Sequence, residues 1–296
     1  MNFDLVITNP PFQNASHGEK KNTLWRKFIE KSISKWTISN GYICLITPSS
    51  WFGSRPLLAK MYPIHHLIYL NKDECKKHFP GIGSSFSAFT LAKGATVTDT
   101  KVVNQTPNKT IQTFDINLTT AMVDGILPRD LSVTSIDILN KLFSREKMGI
   151  VYSNYHHTVH KQNWNKEKSE EFCYSSYSSP TAAGLKWFKF AGDNQTDSKI
   201  IIPTTTYYHK LWYVEEGATC QSVPYYVLQE EDNAVATVHN LKSKIMCWAN
   251  DQFRYSNWNN SKLLTQLPKV PTDRTYDDEE MFDWFGLNDE ERDYVG

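Results

Sequence analysis

Four consecutive residues near the start of the chain, Asn9, Pro10, Pro11 and Phe12, have side chains suited to chemistry on an amino group. The proline rings stiffen the backbone, so the Asn9 side-chain oxygen and the Pro10 carbonyl can point at one place. Two acceptors there can accept hydrogen bonds from both N–H groups of an NH2 group and stabilise positive charge that develops on its nitrogen. The ring of Phe12 could stack on a flat group bound beside them. A rigid turn followed by a buried phenylalanine is the structural alternative.

Strand-forming residues lead directly into this motif. Residues 4–8 are apolar and β-branched, and a residue that precedes proline disfavours the helical region, so the strand is predicted to end at Asn9. A helix is predicted over 24–36 from apolar residues that recur every three or four positions. Further strands are predicted over 42–47, 65–70 and 86–93, with a short helix at 57–62.

This alternation predicts the α/β class, with residues 1–110 forming half of a doubly wound sheet. In such a sheet the strand at 4–8 would be central and covered on both faces, yet nothing that precedes it in this sequence could pair with its other edge. An uncovered apolar edge strand promotes association. We therefore expect a second polypeptide, a second copy of the chain, a missing N-terminal region or a C-terminal cap to cover it.

From residue 111 onward the pattern changes to short segments rich in Tyr, Trp, Ser and Asn. These segments predict a mixed, mostly β domain over 111–270, with a helix near its end capped by Asn240. The final segment, 271–296, is punctuated by prolines and then becomes acidic and helical. Its Trp284, Phe285 and Leu287 are expected to dock on the body of the protein.

The composition is that of a globular protein, with 40% hydrophobic and 13% aromatic residues. No apolar run is long enough to span a membrane and no basic-then-apolar leader precedes the first strand, so neither membrane insertion nor export is expected. The five cysteines are scattered without a CxxC pair. They indicate reduced thiols in a cytoplasmic protein, with neither a disulfide frame nor a zinc site.

The formal net charge of zero conceals two opposed regions. Residues 1–110 hold 14 Lys and Arg against 6 Asp and Glu, whereas residues 272–296 hold 2 against 10. A basic N-terminal portion is compatible with a polyanionic partner, because phosphate contacts supply much of nucleic-acid affinity. A solvated, lysine-rich face explains the same charges.

The motif and its surroundings resemble the N6-adenine DNA methyltransferases of restriction–modification systems, in the arrangement that puts the cofactor motif before NPPF. The segments that carry the resemblance are DLVITNPPFQ, LWRKFIEKSI, GYICLITPSSWF, IHHLIYL, HFPGIGSSFSAFTLAK and the last thirty residues. The resemblance implies that Asn9 and Pro10 bind the target amino group of double-stranded DNA, that Phe12 stacks on the flipped adenine, and that S-adenosylmethionine donates the methyl group.

In that family a second aromatic residue, on a hairpin, sandwiches the flipped adenine. HFPGIGSSFSAFTLAK matches this element, so the resemblance implies Phe79 as the second ring, with Phe86 as the alternative. Flanking loops contact the phosphates in such enzymes, which makes Lys20, Lys21 and Ser50 candidates, although solvated side chains would fit equally well.

The glycine-rich cofactor loop of the family lies before NPPF, and no such loop is found in this sequence. PGIGSS precedes a strand rather than a helix and is not a phosphate-binding loop. The resemblance therefore covers the C-terminal part of such an enzyme, leaves the cofactor-binding residues unknown and implies a partner that carries them. His156, His157 and His160 have metal-like spacing, but no cysteine or carboxylate completes a ligand set, so no metal site is expected.

Four hypotheses remain open on the sequence. The chain is part of a DNA adenine methyltransferase that acts with a cofactor-binding partner, or a non-catalytic DNA-binding specificity protein derived from one. The same chemistry could instead act on protein glutamine or an RNA base, although the long aromatic-rich second domain favours DNA. The chain could also be an inert folded fragment whose exposed edge drives oligomerisation.

Overall fold

The computed structural model describes residues 2–12, 24–61, 64–70, 86–95, 99–105, 110–153, 161–178, 184–204, 208–220, 223–255 and 259–296. These residues fall into two compact units, Met1–Ile136 and Asp137–Gly296. No helix in the described ranges is long and apolar enough to cross a membrane. The described cysteines Cys44, Cys173, Cys220 and Cys247 are free thiols.

The first unit is built on one mixed sheet. In its described part the strand order is β1-β2-β4-β3-β5-β6. The pairs β1–β2 and β3–β5 are parallel, whereas β4 is antiparallel to both of its neighbours and β5 and β6 form an antiparallel pair. The strands are β1 Phe3–Thr8, β2 Thr37–Pro48, β3 Ile64–Leu70, β4 Phe86–Ala92, β5 Thr100–Gln105 and β6 Ile111–Ile116.

Helices connect or follow these strands. The α-helices are α1 Leu24–Lys31, α2 Arg55–Met61 and α3 Leu118–Ala121. Helix α1 continues as a π-helical turn over Ser32–Trp36, and a 3-10 turn covers Ser49–Gly53. Helix α4 Val133–Phe143 begins in the first unit and ends in the second. The π-helical turn was not predicted. Ser34 Oγ donates a 2.7 Å hydrogen bond to the Glu30 carbonyl, the group that an α-helix would reserve for the backbone N–H of Ser34, and this competition favours a local change of helix type.

A bulge lets β2 begin five residues earlier than predicted. The segment Ser39–Tyr42 resembles a turn, and Asn40 does adopt a positive φ of 65°. The strand nevertheless continues, with a register shift against β1 between Phe3 and Leu5. A Cβ at Gly41 would lie 2.8 Å from the Asp4 carbonyl oxygen, so this close approach of β2 to β1 requires glycine.

The first unit extends past the domain boundary that the sequence predicted at residue 110. The reason is the β5–β6 pair, in which Thr100 to Gln105 pair with Ile116 to Ile111. Because β5 also pairs with β3, the hairpin extends the first sheet rather than starting a new domain.

The second unit combines small sheets with helices. One sheet has the order β11-β10-β13 and the other β12-β8-β9-β7. The strands are β7 Trp164–Asn165, β8 Tyr174–Tyr177, β9 Leu185–Phe188, β10 Lys199–Ile201, β11 Trp212–Val214, β12 Ala218–Thr219 and β13 Tyr225–Val227. The helices are α5 Ala234–Leu241, α6 Lys244–Gln252, α7 Ser261–Leu264, α8 Asp278–Phe285 and α9 Asp289–Val295, with a 3-10 turn at Lys161–Asn163.

The C-terminal segment is helical, as predicted. Both α8 and α9 begin with capping boxes, formed by Asp277 with Glu280 and by Asn288 with Glu291. Gly286 ends α8 in the left-handed conformation, with φ 71°. Of the residues expected to dock, Phe285 and Leu287 are buried, whereas Trp284 stays partly exposed.

The predicted role of Asn240 as a helix cap is wrong. Asn240 lies in the last turn of α5, which Asn233 caps, and α6 begins only after Ser243. The buried Asn240 amide donates 2.8 Å hydrogen bonds to the carbonyls of Pro271 and Arg274, and its oxygen accepts one from the Tyr276 N–H. Asn240 therefore ties the approach to the C-terminal helices to α5.

Replacing Asn240 by alanine should lower the free energy of unfolding by about 2–3 kcal/mol, because three backbone groups lose their partner; one of the bonds is buried and two are partly buried. Urea unfolding followed by circular dichroism measures this. Asn140→Ala, at an exposed position of α4, is the matched control and should change stability by less than about 0.5 kcal/mol. Similar losses in both variants would show that the three bonds contribute little.

Candidate functional site

The NPPF motif lies where β1 ends. Thr8 is the last residue of β1 and pairs with Leu45, so Asn9 stands at the carboxyl end of a parallel pair. In open α/β sheets ligands bind in this region, beyond the carboxyl ends of the strands. Asn9 is exposed, Pro10 is buried, Pro11 is exposed and Phe12 is half-buried. The buried proline anchors the turn and leaves the preceding amide at the surface.

The Asn9 side chain makes no hydrogen bond to any residue within the described ranges. Asn9 is one of the residues that line a cavity of about 470 Å3, a volume within the size range of small-molecule sites. The cavity lies on three neighbouring strands, since Ile7 pairs with Cys44, and Cys44 pairs with Thr90. Its lining residues are Ile7, Thr8, Asn9, Cys44, Leu45, Ile46, Ala88, Phe89 and Thr90.

The polar groups of the cavity differ in their freedom to bind a ligand. Cys44 Sγ and Thr90 Oγ1 lie 3.3 Å apart and bond to each other. The Asn9 amide and the Thr8 hydroxyl, for which the structure shows no hydrogen bond, are the polar side chains of the described lining that can both donate to and accept from a ligand. Sequence reasoning missed Cys44, Ile46, Ala88 and Thr90, although the alternation of β2 and β4 contained the signal, because residues two apart share one face of a strand.

Phe86 supports the Phe12 ring. The two ring centroids lie 4.9 Å apart with the planes tilted by 39°, and Phe86 is fully buried at the start of β4. A base stacked between two rings needs about 7 Å between them, twice the usual contact distance. Phe86 therefore backs Phe12 here and leaves no gap for a base between them. Phe79, the first choice for the second ring, lies outside the described residues.

The other candidates are only partly described. Ser50 is half-buried in the 3-10 turn Ser49–Gly53, directly after β2. The described ranges do not include Lys20 and Lys21, nor the three histidines His156, His157 and His160. Among the residues that are described, no group of three or more histidine, cysteine, aspartate or glutamate side chains could hold a metal ion.

A buried aromatic cluster anchors the 3-10 turn Ser49–Gly53, which follows β2. Trp51 is fully buried and its Nε1 donates a 2.7 Å hydrogen bond to Ser87 Oγ on β4. The centroid of the Trp51 ring lies 4.4 Å from that of Phe52, which it contacts edge-on, and 5.2 Å from that of Phe89. These contacts fix the end of β2 against β4, the two strands that form the cavity floor beside Asn9.

The second unit contains an unusual buried lysine that the sequence did not reveal. Lys199 on β10 is fully buried, and its ammonium donates to the carbonyls of Asp197 and Gly217, the latter at 2.6 Å. Burial lowers the pKa of Lys199 from 10.5 to about 8, against the opposing effect of the nearby acids Asp197 and Glu216. The two carbonyl bonds indicate a structural role, closing the turn at Gly217.

This pKa predicts a pH dependence of stability. The folded protein releases the Lys199 proton near pH 8, whereas the unfolded chain keeps it to about pH 10.5, so between these values the unfolded state binds more protons and stability rises with pH. From pH 7.5 to 9.5 the free energy of unfolding should rise by about 2 kcal/mol more in the wild type than in Lys199→Met. Urea titrations of both proteins at the two pH values measure this, and parallel pH profiles would contradict it.

The part of the chain that contains the NPPF motif matches a known protein family. Residues 1–75, which include β1 and the NPPF residues, match the family model described as Eco57I restriction-modification methylase. This part of the chain is related to restriction–modification methylases. No curated protein matches the chain significantly.

Solved structures show low similarity. The Type IIL restriction-modification enzyme MmeI, solved in complex with DNA, has 11% sequence identity and a TM-score of 0.42, with 86% of this chain and 45% of MmeI covered. The Type IIG restriction endonuclease BpuSI has 9% identity and a TM-score of 0.37, with 93% and 44% covered. The DNA-bound Type ISP enzyme LlaBIII has 11% identity and a TM-score of 0.40, with 90% and 28% covered. The chain thus spans less than half the length of each.

Proposed function

We propose that this chain carries the target-base site of an S-adenosylmethionine-dependent DNA adenine N6-methyltransferase. The observation that supports this most is the placement of Asn9, whose exposed amide stands at the end of β1, held by a buried proline, beside a cavity. The match of residues 1–75 to a restriction-modification methylase model supports the same assignment. The parallel β1–β2 pair with β4 antiparallel beside it supports assigning the first sheet to half of a doubly wound methyltransferase sheet.

In the proposed reaction the adenine leaves the duplex and its amino group meets the motif. Asn9 Oδ1 and the Pro10 carbonyl would accept hydrogen bonds from its two N–H groups, which leaves the nitrogen lone pair free for methylation. The sulfonium donor would supply the methyl group and leave as a thioether, and one N–H proton would then pass to solvent. The positive charge that develops on the nitrogen would strengthen both hydrogen bonds, so they would stabilise the transition state more than the ground state. Phe12, held by Phe86, stacks on one face of the base.

The described walls of the cavity do not fit the whole methyl donor. S-adenosylmethionine carries an amino acid and a ribose, which call for charged and polar partners, yet none of the nine lining residues is charged. We therefore assign no residue of this chain to the donor. The proposed function requires its binding groups to come from a partner or from residues outside the described ranges.

The same observation favours a second candidate function. A chain whose described cavity lacks charged groups for the donor could serve as a DNA-binding specificity protein without chemistry of its own. In that case sequence-dependent DNA binding depends on the second unit, and substitution of Asn9 changes nothing.

Nucleoside mass spectrometry tests the proposed function. The gene is deleted from cells that carry it and restored either as the wild type or as Asn9→Ala. N6-methyladenine in the DNA should fall on deletion, return with the wild type and stay low with Asn9→Ala. An unchanged N6-methyladenine content on deletion, or full restoration by Asn9→Ala, would reject the proposal. If deletion lowered only the N4-methylcytosine content, methylation of an amino group would be supported, but adenine would be rejected as the target base.

A further inference from the structure

Arg129, in the first unit, has no hydrogen-bonding or ionic partner among the residues that the structure describes. Its side chain is only partly exposed, and its Nε atom is buried. Arginines that are partly removed from water usually pair with an acid or bind an anion, because withdrawing an unpaired charge from water is costly. Arg129 is therefore a candidate for binding an anion from outside the chain.

The two acids nearest to Arg129 in the sequence bond to other groups. Asp130 is buried, and its Oδ1 accepts a 2.6 Å hydrogen bond from the side-chain amide of Asn104. Asp124 forms an ion pair with Arg55. Both carboxylates thus act within the fold, and the guanidinium of Arg129 is left for a ligand.

Arg129 lies at the edge of the sheet that carries the NPPF motif. Strands β1, β2, β3 and β5 run in one direction, since β4 is antiparallel to both of its neighbours and β3 is parallel to β5, so their carboxyl ends share one edge. The Leu127 N–H donates a 3.1 Å hydrogen bond to the carbonyl of Phe52, in the 3-10 turn that follows β2. On the other side of Arg129, Asp130 binds Asn104 near the end of β5. These two anchors fix the backbone of Arg129 along the carboxyl edge.

We propose that Arg129 binds a backbone phosphate of the DNA whose base reaches Asn9; that this DNA is a methylation substrate rests on the proposed function. The planar guanidinium can donate two parallel hydrogen bonds to one phosphate, which makes arginine well suited to a fixed contact. A duplex carries one negative charge about every 1.7 Å along its axis, so a duplex docked with one base at the motif lays phosphates along the same sheet edge. The contact carries no sequence information and sets the position of the duplex.

The carboxylate of the methyl donor is the other anion that could reach this edge. The strand order β1-β2-β4-β3-β5 puts the anchor at Asn104 four strand spacings from β1, about 19 Å. The amino-acid part of a donor whose methyl group reacts beside Asn9 is much shorter than that distance, whereas a duplex spans it. The position of Arg129 between the ends of β2 and β5 therefore favours a phosphate.

The salt dependence of DNA binding by the full chain tests the contact. The probe is a fluorescently labelled duplex of mixed sequence, since a phosphate contact needs no particular base, and anisotropy gives the association constant over a range of KCl concentrations. Arg129→Gln should reduce the slope of the logarithm of this constant against the logarithm of the salt concentration by about 0.9, the value for one phosphate. Binding at about 0.1 M KCl should weaken about fivefold to tenfold. Arg129→Lys keeps the charge and should retain most of the slope.

Lys101→Gln is the matched control. Lys101 is exposed near the amino end of β5, so this variant removes one positive charge from the opposite edge of the same sheet and should change the slope by less than about 0.3. Thermal melting shows whether each variant folds, and Arg129→Met, which keeps the apolar stem, replaces Arg129→Gln if that variant does not. An unchanged slope without the Arg129 charge, an equal change with Lys101→Gln, or no DNA binding by the wild type would overturn the proposal.

Two further measurements separate this inference from its alternatives. If Arg129 bound the donor carboxylate, Arg129→Gln would weaken the binding of S-adenosylmethionine in calorimetric titrations of the complete assembly and leave the DNA slope unchanged, which would overturn the proposal. Asn9→Ala removes no charge and should keep the wild-type slope. Full methylation by Asn9→Ala together with a reduced slope for Arg129→Gln would reject the proposed function and support the phosphate contact.

Discussion

Asn9→Ala is expected to lower the rate of methyl transfer by about 10²–10³-fold, the usual cost of removing one group that stabilises charge in a transition state. The amide is exposed and bonds to none of the described residues, so its removal should leave the fold intact. DNA affinity, which depends mainly on phosphate contacts, should fall by only about fivefold, the loss expected for one hydrogen bond. Single-turnover methylation by the complete assembly, with DNA binding measured in parallel, gives both quantities.

Two further variants sharpen this result. Asn9→Asp keeps an oxygen acceptor at the same place and should retain more activity than Asn9→Ala. Asn140→Ala removes an exposed asparagine far along the chain and should have no effect on the rate. If Asn9→Ala kept wild-type rates, the motif would be a structural turn and the specificity-protein function would be favoured.

Trp51→Ala should lower the free energy of unfolding of the first unit by about 3–5 kcal/mol, the typical cost of truncating a large aromatic side chain in a core. Trp51 is fully buried, contacts the rings of Phe52 and Phe89, and donates to Ser87 Oγ. Its removal leaves a cavity and an unpaired hydroxyl between β2 and β4. Urea unfolding monitored by circular dichroism measures the loss as a shift of the transition midpoint.

Matched variants separate packing from hydrogen bonding at this site. Ser87→Ala leaves the Trp51 Nε1 without its partner and should cost about 1–3 kcal/mol. Trp51→Phe keeps most of the apolar volume and should cost less than Trp51→Ala. A loss below about 1 kcal/mol for Trp51→Ala would show that the cluster does not hold the floor of the cavity.

The sequence predicts the elements around the motif well, because their signals are local. The strand at 4–8 corresponds to β1 Phe3–Thr8, the strand at 65–70 to β3 Ile64–Leu70, and the strand at 86–93 to β4 Phe86–Ala92. The α/β class is confirmed in the coarse sense of a mixed fold with several sheets. Half of a doubly wound sheet remains a proposal, since strand order depends on pairing partners distant in sequence.

Sequence patterns do not predict an element when tertiary contacts outweigh the local conformational preference of its residues. The turn-like Ser39–Tyr42 lies within β2 as a bulge, because pairing on both sides of the strand outweighs local turn preference. The β-branched segment 234–241 is a helix because Asn233 caps it and its apolar side is buried. The burial of Lys199 has no local sequence signal, since its partners are backbone carbonyls in two other turns.

The candidate site was predictable only in its centre. The order Asn-Pro-Pro-Phe places an amide, two proline rings and a phenyl ring next to one another in the chain. The structure adds that Asn9 lies at the surface and that Phe12 packs against Phe86. The cavity was not predictable, because its walls come from three strands brought together by pairing.

The proposed hydrogen bond from the adenine amino group to Asn9 is tested most directly by a thermodynamic cycle that removes each partner in turn. At a methylated position mapped in the genome, the target adenine is replaced by purine, which lacks only the amino group. DNA affinity is then measured for the complete assembly with wild-type chain and with Asn9→Ala. The wild type should lose about tenfold in affinity and Asn9→Ala clearly less, a coupling of about 1 kcal/mol. Equal losses in both would contradict the proposed contact.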